Sequence, residues 1–596
     1  MDIALPKKNV IMKRYNLLLS LCVATVATIT TVTCSSSGEL PVAAITPSTY
    51  CNPMDLSYRF MVGKSISRRE AADPTMVLHN GTYYLFASKT GGYWWSEDMR
   101  KWELVVTDQI PTEDYAPTAI SMRDTIFFVA SSGVDQRNKI YKSADPKSGE
   151  WEVACEGIEL GAWDPCFFQD DDERLYFYWG CSNYNPMYGV EMDPYTFKFI
   201  DEPKALIHSD YMNRGWEISG DYNTRKEFKP WIEGAWVNKH EGKYYYQYAG
   251  PDACYKSYCD AVMVSDSPLG EFTLEPHNPF AYKPEGFACG AGHGSTFEDK
   301  HGNLWHVGSV SVSVKDRFER RLAMFPTFFD QAGNLYSHAR FGDYPTLIPT
   351  KRISSPEEVE TGWMLLSYDK SVEVSSHLEG YPASNMTNED IRTYWSASSG
   401  DDQQWALIDL GTECEVRAIQ VNFAEQDTDI HGRQAGIVHR YTVESSCDKS
   451  SWHTIDDQSQ STTDNTNNYI ELSKPLQTRY IRVNNIEVPD GKFAISGLRV
   501  FGLAKGSAPA PVEKFEALRN PADRRDITLK WAAAEGAIGY NISYGVDKDM
   551  LYHNYMVYDA TEVEIRSLSA THAYYFTIEP FNECGTAETR TPIFVL

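Results

Sequence analysis

Three carboxylates in this chain open segments of the same design. Asp73 opens "DPTMVLHNGTYYLFAS", Asp164 opens "DPCFFQDDDERLYFYWG", and Glu233 opens "EGAWVNKHEGKYYYQYAG". Glu233 stands among Trp231, Ile232 and Trp236, and no basic residue is nearer in sequence than Lys229. If such acids meet in space, like charges push at least one of them to hold its proton. One carboxyl then serves as a proton donor while another stays an ionised base. Taken singly, each acid reads as the cap of a strand turn. Three in register, with Gly, Pro and aromatic neighbours, read as an acid–base set.

The elements that must position them form an internal repeat. Two further segments share the design: "APTAISMRDTIFFVASS" from Ala116 and "HGSTFEDKHGNLWHVGS" from His293. Each is a strand, a polar turn and a second strand rich in Tyr, Phe or Trp. Outer-edge turns such as "SEDMRKW", "SADPKSGEW", "MDPYTFKFI" and "SDSPLGEF" follow four of them. No helical period separates the units. Five such units predict a five-bladed β-propeller, in which radial repetition leaves only short sheet edges. The innermost strand of a blade lines the axis, so Asp73, Ala116, Asp164, Glu233 and His293 are expected at one structural place, with the three acids converging there.

The phrases "ADPTMVLHNGTYYLFAS", "WDPCFF", "IEGAWV" and "GHGSTF" resemble the blade-start motifs of glycoside hydrolase family 43, over roughly residues 65–350. The resemblance implies an inverting enzyme with Asp73 as general base, Asp164 as the residue that tunes and orients, and Glu233 as general acid. It implies that His293 is the axial histidine that often supports a water-coordinated metal ion, commonly calcium, with no cofactor in the chemistry itself. Arg320 in "ERRLAMFP" resembles the fifth-blade arginine, with Arg321 its rival. Where many members read Glu-Gly-Pro this chain reads "EGA", which puts the local geometry in doubt. The sugars implied are α-L-arabinofuranose or β-D-xylose, with β-galactose or galactofuranose as alternatives. The competing class is a glycan-binding protein without turnover.

Other residues are candidates for the sugar. Trp94, beside Trp95, is expected either at the pocket rim or in blade packing, and Tyr115 faces the axis. The long insertion "SDYMNRGWEISGDYNTRKEFK" carries Trp216 and Glu217, which would close one side of the site, giving a pocket and attack at chain ends. Asp170 to Asp172 read as a hairpin turn before they read as a calcium site, and His301 and His306 as surface or core residues.

The chain has 596 residues, which predicts several domains, and a formal net charge of −27, which argues against nucleic acid as a partner. Aromatics make up 13 % of it, which suits stacking on sugars, although β-rich folds use aromatics regardless. Residues 1–40 read as a targeting segment: Lys13 and Arg14, a short apolar run, then small residues. Cys34, before "SSSG", resembles a relaxed bacterial lipoprotein box, against ordinary cleavage nearby. An exported protein is expected, periplasmic or at the cell surface, attached to a membrane only through that lipidated cysteine. Cys254 and Cys259 have no zinc-type partners; free thiols are expected there, although export would permit a disulfide.

Beyond the repeat, residues 367–503 read as a β-sandwich. Phrases such as "YTVESSCDKSSWHTI" and "AISGLRVFG" resemble the discoidin-like, galactose-binding type. Trp395, Trp405 and Trp452 are its expected core, and His431 and Arg433 are loop candidates for a glycan, unless the module only buttresses the propeller. Residues 509–596 resemble a fibronectin type III sandwich, with Trp531 in its core and Leu568 and Tyr574 in a tyrosine corner. The fold class expected overall is all-β: a five-bladed β-propeller followed by two β-sandwich domains.

Overall fold

A computed structural model describes residues 48–63, 66–131, 137–587 and 591–596. The expected targeting segment, Cys34 included, lies outside the described residues. The described chain is all-β, with only short 3-10 turns beside its strands.

Five antiparallel sheets follow one another in sequence order. Their innermost strands are Ala72–His79, Thr118–Met122, Cys166–Gln169, Ile232–His240 and Gly290–Glu298. Each pairs with the strand that follows it, as the hairpin repeat requires. Blade 5 closes on blade 1 through side chains: the Met76 N–H donates to Ser295 Oγ at 3.0 Å. Large aromatics fill the spaces between blades, because radial packing leaves wedges that small side chains cannot fill. Trp94 and Trp305 lie in one such cluster, and Trp216 with Tyr176, Tyr178, Tyr246 and Tyr248 in another.

One backbone device recurs where each blade begins. Asp73, Ala116, Asp164 and His293 all have left-handed backbone, with φ of 53°, 44°, 53° and 46°. For residues other than glycine this costs about 1–3 kcal/mol each and persists only where surrounding contacts impose it. Those contacts come from the preceding blade. The N–H of Ala116 donates to Ser88 Oγ at 2.7 Å, that of Asp164 to Ser131 Oγ at 2.8 Å, and that of Asp73 to Ser309 Oγ at 2.9 Å. His293 N–H donates to Asp260 Oδ1 at 2.7 Å. In blade 4 the left-handed residue is Gly234, φ 68°, whose N–H reaches Asp164 Oδ2 at 3.3 Å. Glu233 therefore stands one residue ahead of the place expected for it. The register shifts between Glu233 and Trp236, so the "EGA" turn is a β-bulge, a feature that re-aims a side chain. Glycine is required at 234 because a Cβ there would lie 2.8 Å from the His293 ring.

The second domain is a sandwich built on two long strands, Trp405–Phe423 and Asn467–Glu487, that bend through its layers. Trp395 is in its core. Trp405 is only half-buried, and Trp452 lies outside the core beneath the Arg482 guanidinium, 3.9 Å from its ring centre. The sandwich docks on the propeller through buried ion pairs. Arg69 of the propeller donates to Glu425 at 2.6 Å and to Asp464 at 2.7 Å. The loop candidates His431 and Arg433 face the propeller, not solvent: Arg433 donates to the carbonyls of Ser57 and Thr90, and His431 Nδ1 lies 3.3 Å from the Met61 carbonyl oxygen.

The C-terminal sandwich pairs Phe515–Arg519, Ile527–Trp531 and Glu562–Ile565 in one sheet, against a second sheet centred on Gly539–Gly545 and Tyr574–Asn582. Trp531 is buried, and the Tyr574 hydroxyl accepts from the Ser569 N–H at 2.9 Å. The insertion before blade 4 packs here. Gly215 N–H donates to the Leu568 carbonyl at 2.9 Å, and a Cβ at 215 would strike the Arg566 carbonyl.

Candidate active site

Asp73, Asp164, Glu233 and His293 line one cavity of about 300 Å³ at the propeller axis, with Tyr115, Trp163, Cys181, Trp231, Asp252, Arg317, Phe318 and Arg320 around it. That is the size range of small-ligand sites. His293 Nδ1 sits between two acids, 3.4 Å from Asp73 Oδ1 and 3.6 Å from Asp164 Oδ2. Carboxylate oxygens of Asp164 and Glu233 and the Cys181 sulfur all lie within 4.8 Å of one another.

Each acid has a distinct environment. Burial works to raise Asp73, but the Arg320 guanidinium, then His293 and the Ser88 hydroxyl, outweigh it and hold the carboxyl below its ordinary range. Arg320 Nη1 donates to Asp73 Oδ1 at 2.9 Å and Nη2 to Glu70 Oε1 at 2.9 Å, while Ser88 Oγ donates to Asp73 Oδ2 at 2.6 Å. Asp164 has no such cation. Burial pushes it up to about 7; His293 opposes that, and the nearby Glu233 and Asp73 charges add to it. His293 is raised: burial favours its neutral form, but Asp73, Asp164, Glu233 and Asp260 outweigh burial. The site thus sets one carboxyl held ionised, Asp73, beside one pushed up toward neutral pH, Asp164.

Asp164→Asn removes this raised carboxyl, so an ionisation near neutral pH is expected to disappear from the pH profile of activity; a profile that keeps it would assign it to another group.

Not every expected residue is here. Tyr115 lines the cavity with Lys89 Nζ 4.1 Å from its ring centre. Trp94 is fully buried between blades and cannot meet a ligand; Trp95 is covered by Lys147. Trp216 is buried in the blade core, and Glu217 accepts from Arg214, Tyr248, Ser209 and the Asp210 N–H, because their loop is anchored to the C-terminal sandwich. That loop does not close the site. Arg321 donates to two backbone carbonyls and is absent from the cavity wall, so Arg320 alone holds Asp73. His306 is a core residue, bonded to the Thr296 hydroxyl and the Ala291 carbonyl. Asp170 is engaged by Lys239 and Tyr244, and Cys254 and Cys259 are free thiols.

Calcium takes six to eight oxygen ligands. The carboxylate oxygens beside His293 each accept from a donor, Arg320, Ser88, Ser131 or the Gly234 N–H, so water would have to supply most ligands of an ion held there.

Sequence reasoning passed over Trp163, Cys181, Tyr258 and Phe318. Trp163 and Trp231 are 40 % and 39 % exposed, unusual for tryptophan in so aromatic a core. Their positions, one residue before Asp164 and two before Glu233, were the available signal.

Residues 62–323 match the model of glycosyl hydrolases family 43. This part of the chain is similar to family 43 domains. Residues 371–496 match the F5/8 type C domain, the discoidin-like sandwich. Over 156 residues the chain is 28 % identical to a beta-xylosidase of Xylanibacter ruminicola, covering 22 % of this chain and 42 % of that protein. The match thus spans about two-fifths of that relative's length. Among solved structures, a glycoside hydrolase is 17 % identical with a TM-score of 0.45, over 72 % of this chain and 97 % of the other. A xylan beta-1,4-xylosidase from Bacillus halodurans C-125 is 12 % identical with a TM-score of 0.40, over 76 % and 100 %.

Proposed function

We propose that the protein is an exported, inverting glycoside hydrolase that removes single α-L-arabinofuranosyl or β-D-xylosyl residues from plant-type polysaccharide side chains. The observation that carries this reading is the single axial cavity shared by Asp73, Asp164 and Glu233. Asp73, ionised by Arg320, takes a proton from water as its oxygen attacks the anomeric carbon. Glu233 gives its proton to the departing glycosidic oxygen as the C–O bond breaks. Attack opposite the leaving group inverts the configuration, which requires the two carboxyls to leave room for that water. Asp164 stays beside Glu233, where it tunes and orients the acid. The compact cavity supports release of one sugar at a time, and the likeness to a beta-xylosidase supports a pentose.

The reading is tested by a panel of arabinosides, xylosides and galactosides, with products separated by chromatography and the first-formed anomer read by NMR. Inverted single pentoses are expected. Released galactose would move the protein to the galactosidase reading, and no turnover across the panel would make it a glycan-binding protein.

Trp163 and Trp231 offer aromatic faces to neighbouring sugar rings. Trp231→Ala is expected to raise KM for oligosaccharides about tenfold with kcat little changed, since a stacked ring adds about 1 kcal/mol beyond burial. Equal KM in steady-state assays would place Trp231 outside the binding surface. We read the discoidin-like domain as a buttress, because its candidate binding loop is spent on the propeller. We read the C-terminal sandwich as fibronectin type III-like on its sheet order and the Tyr574 corner. Lipid attachment at Cys34 would place the enzyme on a membrane surface.

A further inference from the structure

Glu233 is gripped at both oxygens by neutral donors. Tyr258 Oη donates to Oε1 at 2.6 Å, and the Cys181 thiol donates to Oε2 at 3.1 Å. Each donor is built in from a different direction. Tyr258 is almost wholly buried at the start of the third strand of blade 4, and its ring rests on Gly292, where a Cβ would lie 2.6 Å from Cδ1. Cys181 belongs to a two-residue strand leaving blade 3 that pairs with the Glu233 strand, Cys181 directly opposite Glu233. The cavity wall includes Cys181 and Glu233 but not Tyr258, which grips from behind.

We propose that Tyr258 and Cys181 form a two-donor clamp that positions Glu233 and stabilises the carboxylate it becomes after giving up its proton. This rests on the reading of Glu233 as general acid. Both donors are positioning residues, since neither meets the sugar in this role. Hydrogen bonds to a carboxylate favour its ionised form and are stronger than those to its neutral form. The clamp therefore strengthens as the proton leaves, which is when it aids catalysis. It also survives a rise in pH. Burial, then the Glu233 charge, raises the Tyr258 phenol well above its ordinary value; burial, then the Asp164 and Glu233 charges, does the same to the Cys181 thiol. Neither donor becomes an anion in the working range. The other charged groups around Glu233 and its cavity are Asp164 of blade 3, Asp252 and Asp260 of blade 4, His293 of blade 5, Arg317, and Asp73 with Arg320 where blades 1 and 5 meet.

The test is the pH profile of kcat/KM for Tyr258→Phe and Cys181→Ala, on one substrate with a poor leaving group and one whose leaving group needs no proton. Without a donor the carboxylate is less stable, so Glu233 keeps its proton to higher pH. For Tyr258→Phe the basic limb is expected to rise by about one unit, with kcat on the poor leaving group down about tenfold and the activated substrate nearly unaffected. Cys181→Ala should shift the same way but less, since a thiol is the weaker donor, and Cys181→Ser should restore the wild-type limb. Unmoved limbs in both Tyr258→Phe and Cys181→Ala would overturn the clamp. So would equal losses on the two substrates, which indicate a merely structural role. If Glu233→Ala itself showed no dependence on leaving group, the acid assignment would fall instead, so the two failures are distinguishable.

Discussion

Asp73→Asn is expected to lower kcat about a thousandfold while the protein remains folded. The size follows from what a general base contributes, about 10²- to 10⁴-fold, and an amide cannot accept the water's proton. Retention of the fold follows from the surroundings. Asparagine tolerates the left-handed backbone that residue 73 must adopt, φ 53°. Its side-chain oxygen can still accept from the Ser88 hydroxyl. Arg320, which would otherwise be a stranded buried cation, keeps Glu70 at 2.9 Å. Asp73→Ala is the poorer variant, since alanine has no such tolerance and leaves Ser88 unmatched. The lowered position of Asp73 also carries a stability sign: its ionised form is favoured by folding, so that contribution is present above the ordinary carboxylate range and lost as pH falls through the lowered value. Steady-state kinetics beside a thermal melt checks the claim, and normal turnover by a folded Asp73→Asn would remove Asp73 from the base role.

The second large effect is selective. Glu233→Ala is expected to lose about 10²- to 10⁴-fold on natural glycans, whose alkoxide leaving groups need a proton, and less than about tenfold on substrates whose leaving groups depart as stable anions. The variant leaves Tyr258 Oη and Cys181 Sγ without their acceptor, which costs stability.

Which residues share the axial cavity was more legible in the sequence than how they are presented there. Asp73 and Asp164 were legible because each opens a strand at a place the repeat marks five times over. The shift at Glu233 was not, because it depends on the contact between the backbone at 234 and the His293 ring, and only the folded blades create that contact. Trp94 and Trp216 look the same in sequence whether they meet sugar or fill a wedge between blades. Trp163 and Trp231 are set apart by exposure, and in sequence only by standing just before Asp164 and Glu233. The serines that hold the strained blade starts, Ser88, Ser131 and Ser309, sit in phrases as plain as "FAS", "VAS" and "VGS". Cys181 and Tyr258 reach Glu233 from 52 and 25 residues away, through pairing that no local pattern encodes. The insertion before blade 4 was long enough to suggest a lid, but its length serves contact with a domain some 300 residues later.

The most direct measurement compares wild type and Glu233→Ala across a graded series of aryl glycosides and a natural oligosaccharide. A proton donor at Glu233 predicts that the variant's rate falls steeply as the leaving group becomes more basic, while the wild type's depends on it weakly. Parallel dependence in the two proteins would contradict the assignment of Glu233, and with it the mechanism built on this cavity.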